Sequence, residues 1–283
     1  MLSEWLNHPA VQSGIAPFIA ALITAELLNR LRLSGLAIIA GFGATVYLVA
    51  DFNFESLSSL SSLSALPATK KIILSGLIAA AIAPVFDIVS DGWRFLRYLI
   101  AAACGGVVLW VLWPVLQQKE MQEAAMIGTG VVAYAMWLAI FMDRLAARSV
   151  HAGAAGVGLG IGVGASALLG ASALLGQLGL AIGAACGAYL LIQMLSEKPL
   201  PCGRTFTLPL ALLCGLIAPA AMLLAKLPWY CLPVLAAIPL VAHVPIPERW
   251  PLRGQLAALS LLTLSVAVGS IFLVWREAGG IPL

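Results

Sequence analysis

Ten apolar stretches, each close to the length of a helix that crosses a bilayer, follow one another along the chain, separated by short polar, basic or proline-rich breaks. They lie near residues 11–30, 33–51, 72–90, 98–116 and 124–142 in the first half, and near 151–170, 173–195, 205–226, 229–246 and 254–275 in the second. About 20 apolar residues are needed to cross the hydrocarbon core, and the loops between crossings can be short, so this pattern predicts an all-α, polytopic transmembrane helical bundle of about ten spans. One boundary is not marked by any charge. From His151 to Leu195 the chain runs 45 residues uncharged, about 68 Å as a single helix and twice a bilayer core, so it must turn, near Gly170 to Gly179.

Loop charges test that count, because Lys and Arg in short loops stay on the cytoplasmic side. With ten spans, one set of loops carries Arg30 and Arg32, Arg94 and Arg97, Arg144 and Arg148, Lys198 and Arg204, and Arg249 and Arg253. The other set carries Lys70, Lys71, Lys119, Lys226 and Arg276. The paired set reads as cytoplasmic and both termini as external. A single span over 151–195 would scatter the basic loops over both faces, which leaves nine spans as the weaker count. Trp110, Trp113, Trp229 and Trp275 fall at predicted outer ends and Trp93 and Trp250 at inner ends, as an interfacial belt requires. Trp137 lies deeper, where its indole N–H needs a partner inside the bundle.

Composition strengthens the membrane reading. Of 283 residues, 62% are hydrophobic and 10% charged, against about 25% charged in a soluble domain, so the chain reads as one integral membrane domain over 1–283. The first ten residues hold Glu4 and His8 and no Lys or Arg, unlike the basic start of a cleavable signal, so the first apolar run is expected to be retained. The basic residues form no run, which argues against a nucleic-acid partner. Five cysteines stand without a CxxC pair or a His at ligand spacing and read as small packing residues. No metal motif, nucleophile triad or spaced carboxylate pair stands out, and His8, His151 and His243 are far apart, so neither a cofactor nor an enzyme is expected.

Two short matches point to an internal repeat with halves 1–149 and 150–283. Gly35-Leu36-Ala37-Ile38, with Ala40 and Gly43-Ala44, matches Gly179-Leu180-Ala181-Ile182, Ala184 and Gly187-Ala188 at an offset of 144 residues. Gly76-Leu77-Ile78-Ala79, with Ala81, matches Gly215-Leu216-Ile217-Ala218 and Ala220 at an offset of 139. Both pair span n with span n+5. Five is odd, so the copies would cross in opposite directions and form an inverted repeat. Chance matches in a chain this rich in Ala, Gly and Leu are the other reading. Ten spans in two inverted sets of five resemble the general architecture of drug/metabolite transporters and several other carrier superfamilies; external termini depart from the drug/metabolite pattern, and no family motif accompanies the likeness.

Ionisable residues inside a bilayer are expensive and so mark function by default. Here Glu26, Asp87 and Asp143 all lie near predicted cytoplasmic ends. Pro84, Asp87, Asp91 and Arg94 recur at intervals of three and four, which places them on one face of one helix with a kink at Pro84. That group reads either as a hydrated vestibule or as an interfacial ion-pair cluster. Glu26 stands one turn before Arg30 and reads as its ion-pair partner. Span 9, broken by Pro233, Pro239, Pro245 and Pro247 with His243 near its inner end, is not expected to be one regular helix. Gly156, Gly158, Gly160, Gly162 and Gly164 alternate through span 6 and spread around more than one face, as suits a central helix touching several neighbours.

The polar groups expected nearer the middle are mild: Thr45, Ser75, Thr129, Tyr134, Ser166, Gln177 and Tyr189. They favour a secondary carrier or facilitator for a small organic, neutral or amphipathic solute, in a bacterial-type inner membrane, with Glu26, Pro84, Asp87, Asp91, Arg94, Gln177, Pro239 and His243 as pathway or vestibule candidates. A non-catalytic subunit that binds other membrane subunits through its Gly- and Ala-rich faces is the second reading, and a lipid-handling protein the third.

Overall fold

A computed structural model describes residues 8–31, 33–49, 66–89, 94–247 and 249–278. Its regular elements are ten helices with no strand among the described residues: α1 Val11–Asn29, α2 Ser34–Val49, α3 Ala68–Val89, α4 Arg94–Leu116, α5 Met121–Leu145, α6 Ser149–Leu169, α7 Ala173–Ser196, α8 Gly203–Leu224, α9 Cys231–Val241 and α10 Leu252–Glu277. Each corresponds to one of the ten apolar stretches. Eight are long and apolar enough to cross a membrane, whereas α2 and α9 are shorter. The protein is therefore a membrane-type helical bundle with eight helices of spanning length. The shortness of α9 has a cause in sequence: it rises only about 16 Å before the chain meets Pro245 and Pro247, which cannot continue a helix.

Hydrogen bonds between loops and helix ends assign the ends of the helices to two faces. At one face Lys226 N donates to Gly170 O (2.8 Å) and Thr45 Oγ1 to Gln12 O (2.7 Å). At the opposite face Gly203 N donates to Ala146 O (3.0 Å), Ser34 Oγ to Pro201 O (2.7 Å) and Arg253 Nε to Met194 O (3.3 Å). That second face gathers the described members of the five paired basic loops. It is called the basic face below, and the other the opposite face.

The long uncharged stretch is a hairpin. The turn is tighter than its sequence marks: α6 ends at Leu169, Ala171 takes a left-handed conformation (φ 68°), and α7 starts at Ala173. In the bundle, α6 and α8 are interior, with 78% and 83% of their most apolar windows buried, against 22% for α1 and 28% for α10. Helix α6 packs on α7, α8, α9 and α10. Its alternating glycines explain how. A Cβ on Gly160 would collide with the backbone N of Gly183, and one on Gly164 with the backbone N of Leu180, so that face lies backbone to backbone against α7. Gly158 and Gly162 turn to Thr263 and Ile238 and to Leu235 and Ala267, on α9 and α10.

The repeat-matched helices touch each other. Gly41 of α2 and Ala185 of α7, equivalent at the offset of 144, are in contact, a Cβ on Gly41 falling 2.7 Å from that of Ala185. Gly76 of α3 packs on Leu213 of α8, two residues from its own match Gly215. The remaining packing is not alike in the two halves: α6 lies along α10, and the corresponding pair α1 and α5 is not among the packed pairs.

These contacts predict a contrast between two glycines. Gly160→Ala should cost about 1–3 kcal/mol through overpacking. Gly106→Ala, where an added Cβ meets nothing within 4 Å, should be neutral or stabilise by up to about 1 kcal/mol through helix propensity. Thermal unfolding in one detergent measures both.

Candidate functional site

Charged side chains converge on the basic face where α3, α4, α5 and α8 meet. The first turn of any helix leaves N–H groups without intrahelical acceptors, and in a bilayer setting these must be met by protein. At α8 they are met from other helices. Gly203 N donates to Ala146 O, Arg204 N to Asp87 Oδ1 (2.6 Å) and Thr205 N to Asp87 Oδ2 (3.1 Å). Asp87 of α3 is thus an N-cap supplied in trans, and it fills the place at which an external anion would bind a free helix N-terminus. Gly203 makes this possible: its φ is +65°, and a Cβ there would strike the Asp87 carboxylate.

Arg204 then reaches across. Its Nε donates to Asp143 Oδ1 of α5 and its Nη1 to Phe86 O (3.2 Å), while Arg97 Nε of α4 donates to Asp143 Oδ2. Asp143 is 8% and Arg204 12% exposed, Arg97 33%. Two carboxylates and two guanidiniums make the group neutral, which is the condition for holding so much charge away from water. Burial, with the Asp87 carboxylate adding to it, pushes the neighbouring Cys202 thiol up, so this cysteine stays a protonated packing group.

Above this ion-pair group an apolar crevice of about 490 Å³ separates α3 from α4, with α8 as its back wall. Helices α3 and α4 are consecutive yet pack on each other over little of their length, each leaning on α8 or α5 instead. Phe86 and Leu96 line the crevice near the ion pairs, Ala79 and Cys104 its middle, and Ser75 and Trp110 its other end. There the Lys71 ammonium, on a residue only 2% exposed, lies 4.9 Å from the centroid of the Trp110 ring. A larger apolar groove of about 750 Å³ lies on another flank, between α5, α8 and α9, with Tyr134, Trp137 and Trp229 on its walls. The Trp137 indole N–H has the internal partner it needs, Ala236 O at 3.0 Å.

Of the candidates read from sequence, Asp87 belongs to the ion-pair group and Pro84 lies one turn before it, inside α3. Asp91 lies outside the described residues. Arg94 is corrected: α3 ends at Val89 and Arg94 opens α4, so the expected shared helix face does not extend to it. Glu26 and Arg30 are both exposed and form no ion pair with each other among the described residues. Gln177 is half-buried one turn into α7, near the opposite face and away from mid-depth. Pro239 is buried inside α9, and His243 Nδ1 donates to its carbonyl (2.7 Å) while packing edge-on against Phe141. The crevice thus takes in neither Glu26, Gln177, Pro239 nor His243.

Most of the mild polar groups are spent locally, but the Tyr134 hydroxyl, of a residue on the wall of the α5–α8–α9 groove, is buried without a hydrogen-bond partner among the described residues. Thr129 bonds Ala125 O, Ser75 bonds Lys71 O, Ser166 meets Ser270, and Tyr189 donates to Leu200 O and Pro201 O near the basic face. Sequence reasoning missed Arg97 and Arg204, which it counted only as loop charges, and the pairing of Asp143 with both. The available signal was a balance of two acids and two bases at helix ends sharing one face. No protein-family model matches the chain, and no curated protein matches it.

Removing Asp143 would leave two guanidiniums facing each other with little water. Asp143→Ala should therefore destabilise by about 3 kcal/mol, and Asp87→Ala by about 1 kcal/mol through the lost cap. Thermal unfolding of the purified variants measures both, and equal small losses would refute the unequal roles assigned here.

Proposed function

We propose that this chain is a membrane carrier or facilitator for a small amphipathic organic solute, built from ten crossings in two inverted halves. The observation that carries the reading is the α3–α4–α8 crevice. It lies where helices of the first half meet one of the second, it is apolar along its length, and charged groups stand near both ends. Mutual contact of repeat-equivalent residues, Gly41 with Ala185, supports a two-fold axis in the membrane plane between α2 and α7, since only residues on such an axis touch their own equivalents. In this reading α9 and the Pro-rich segment after it together make the ninth crossing, and α2 the second.

The basic face is assigned to the cytoplasm of a bacterial-type inner membrane, with both termini outside. Lys198 and Lys226 are exposed on opposite faces, and the five native cysteines are buried. In intact cells a membrane-impermeant maleimide should label Lys226→Cys and not Lys198→Cys, with both labelled once the membrane is opened. The reverse pattern would invert the orientation.

Reconstitution in liposomes with a screen of amphipathic solutes tests transport. Asp87→Asn should lower uptake of a transported solute about tenfold at normal membrane abundance, as expected for a weakened hydrogen bond to a charged group. Unchanged uptake would leave Asp87 as a structural cap only. A second reading, a non-catalytic subunit of a larger membrane complex, is favoured by the 750 Å³ flank groove, whose size and apolar walls suit a partner helix. Stoichiometric co-purification with another membrane chain and no uptake of any solute would select it.

A further inference from the structure

The groove between α5, α8 and α9 joins a large apolar space to a polar group that nothing satisfies. Tyr134 lines it and is 6% exposed, and its hydroxyl is buried without a hydrogen-bond partner among the described residues. Folded proteins ordinarily pair such a group, and a ligand would restore the missing bond. The groove follows α5 from Met126 to Trp137, eleven residues and about 16 Å of helix, or half of a hydrocarbon core. It stops there, because the Trp137 N–H donates to Ala236 O and ties α5 to α9. A spanning partner helix would have to run on past this bridge, whereas a small molecule can end at it. One turn before Tyr134, Gly130 also lines the groove, and a Cβ added to it meets nothing within 4 Å. Open space therefore lies on the same side of α5 as the tyrosine.

We infer that this groove binds an uncharged, lipid-soluble compound with a flat ring and a ring carbonyl, of quinone type, whose carbonyl oxygen accepts the Tyr134 O–H. Among the described residues its walls carry no Asp, Glu, Lys or Arg. Tyr134 stands near the middle of α5, a depth at which a carboxylate or phosphate head would lose its water and meet no opposite charge. A neutral acceptor oxygen suits the place better. Trp137 and Trp229 on the walls offer aromatic faces to a ring. As the side chains stand, the hydroxyl is closed off, so the ligand must displace lining groups to reach it, and the flexible thioethers Met126 and Met222 are the ones suited to yield. The site is separate from the crevice that carries the carrier reading, so each can fail without the other. It takes from the subunit reading the groove that favours it.

The probe is an azidobenzoquinone with a decyl tail, photo-crosslinked to the full chain in lipid nanodiscs and mapped by mass spectrometry. Adducts are expected on segments 126–137 and 229–236. Decylubiquinone should displace the probe about tenfold more effectively than decylbenzene, which has the ring and tail without the carbonyl, and Tyr134→Phe should erase that difference. Gly130→Leu, which fills the groove from a position with room for a Cβ, should lower the adducts about tenfold, and Ala103→Trp in the α3–α4 crevice should leave them unchanged. Thermal unfolding checks that each variant is folded; should Gly130→Leu fail that check, Ala133→Phe replaces it. With no quinone added, Tyr134→Phe should melt no lower than the parent, because no bond within the protein is lost. A clear fall in its Tm would make the hydroxyl a structural group and overturn the inference. So would adducts confined to the crevice or spread over all lipid-facing helices, adducts that filling the groove leaves intact, equal displacement by both competitors, or a tenfold preference that survives Tyr134→Phe. A co-purifying membrane chain crosslinked into the groove in place of the probe would overturn it in favour of the subunit reading.

Discussion

The backbone-to-backbone approach of α6 and α7 is the constraint from which the rest of the bundle follows. Lipid tails are as apolar as leucine, so helices in a bilayer gain little from merely burying apolar side chains against each other and depend instead on close van der Waals fit. Gly160 and Gly164 against Gly183, Gly179 and Leu180 supply that fit. With one face of α6 taken by α7, its other small residues fall toward α9 and α10, where Gly158 admits Thr263 and Gly162 admits Leu235. Helix α6 can be surrounded because it has almost no side chain to keep neighbours away. Helix α7 in turn carries α1 and α2 on its far side, so the first two helices are positioned by the hairpin although they precede it in the chain.

A second constraint acts at the basic face. Helix α8 is interior, and an interior helix start needs partners for its N–H groups that water cannot provide. Asp87, Ala146 O and the residues around Gly203 meet that need and in doing so fix α3 and the end of α5 relative to α8. Asp143 extends the arrangement to α4 through Arg97. Four helices are thereby tied by charge at one face. Farther from that face α3 and α4 rely on apolar contact with α8 and α5, and they part. The crevice is the consequence of being tied at one end and supported from behind.

Helix existence was largely legible in the residues because it rests on local facts. Length and apolarity marked ten segments; paired loop charges required a turn inside 151–195; alternating glycines spread over several faces of span 6, as the contacts of Gly158 and Gly160 bear out. Proline spacing anticipated an irregular span 9, which ends as a helix at Val241. What was not legible depends on which helix ends meet. Periodicity joined Asp87 to Arg94 because their spacing suits a helix, and it could not see that the helix stops between them. Arg204 is 117 residues from Asp87, and nothing local distinguishes an arginine that caps a loop charge from one that is pulled into a neutral group with Asp143.

That difference bears on function. A carrier for a polar solute needs polar groups aimed into a shared space, and in this chain the hydroxyls of Ser75, Thr129 and Tyr189 are committed to backbone carbonyls and that of Ser166 to Ser270. The buried charges are committed as well, Asp143 to two arginines and Asp87 to a helix start. What remains open to a ligand in the α3–α4 crevice is apolar surface along the helices, and the charge that stands beside it is near the ends. Surface of that kind discriminates by chain length and by the charge of a head, since any polar atom carried into its middle would lose its water and find no partner. In the carrier proposed above, the chemistry left available is therefore that of an amphipath whose apolar chain lies along that surface and whose head stays at one of its ends.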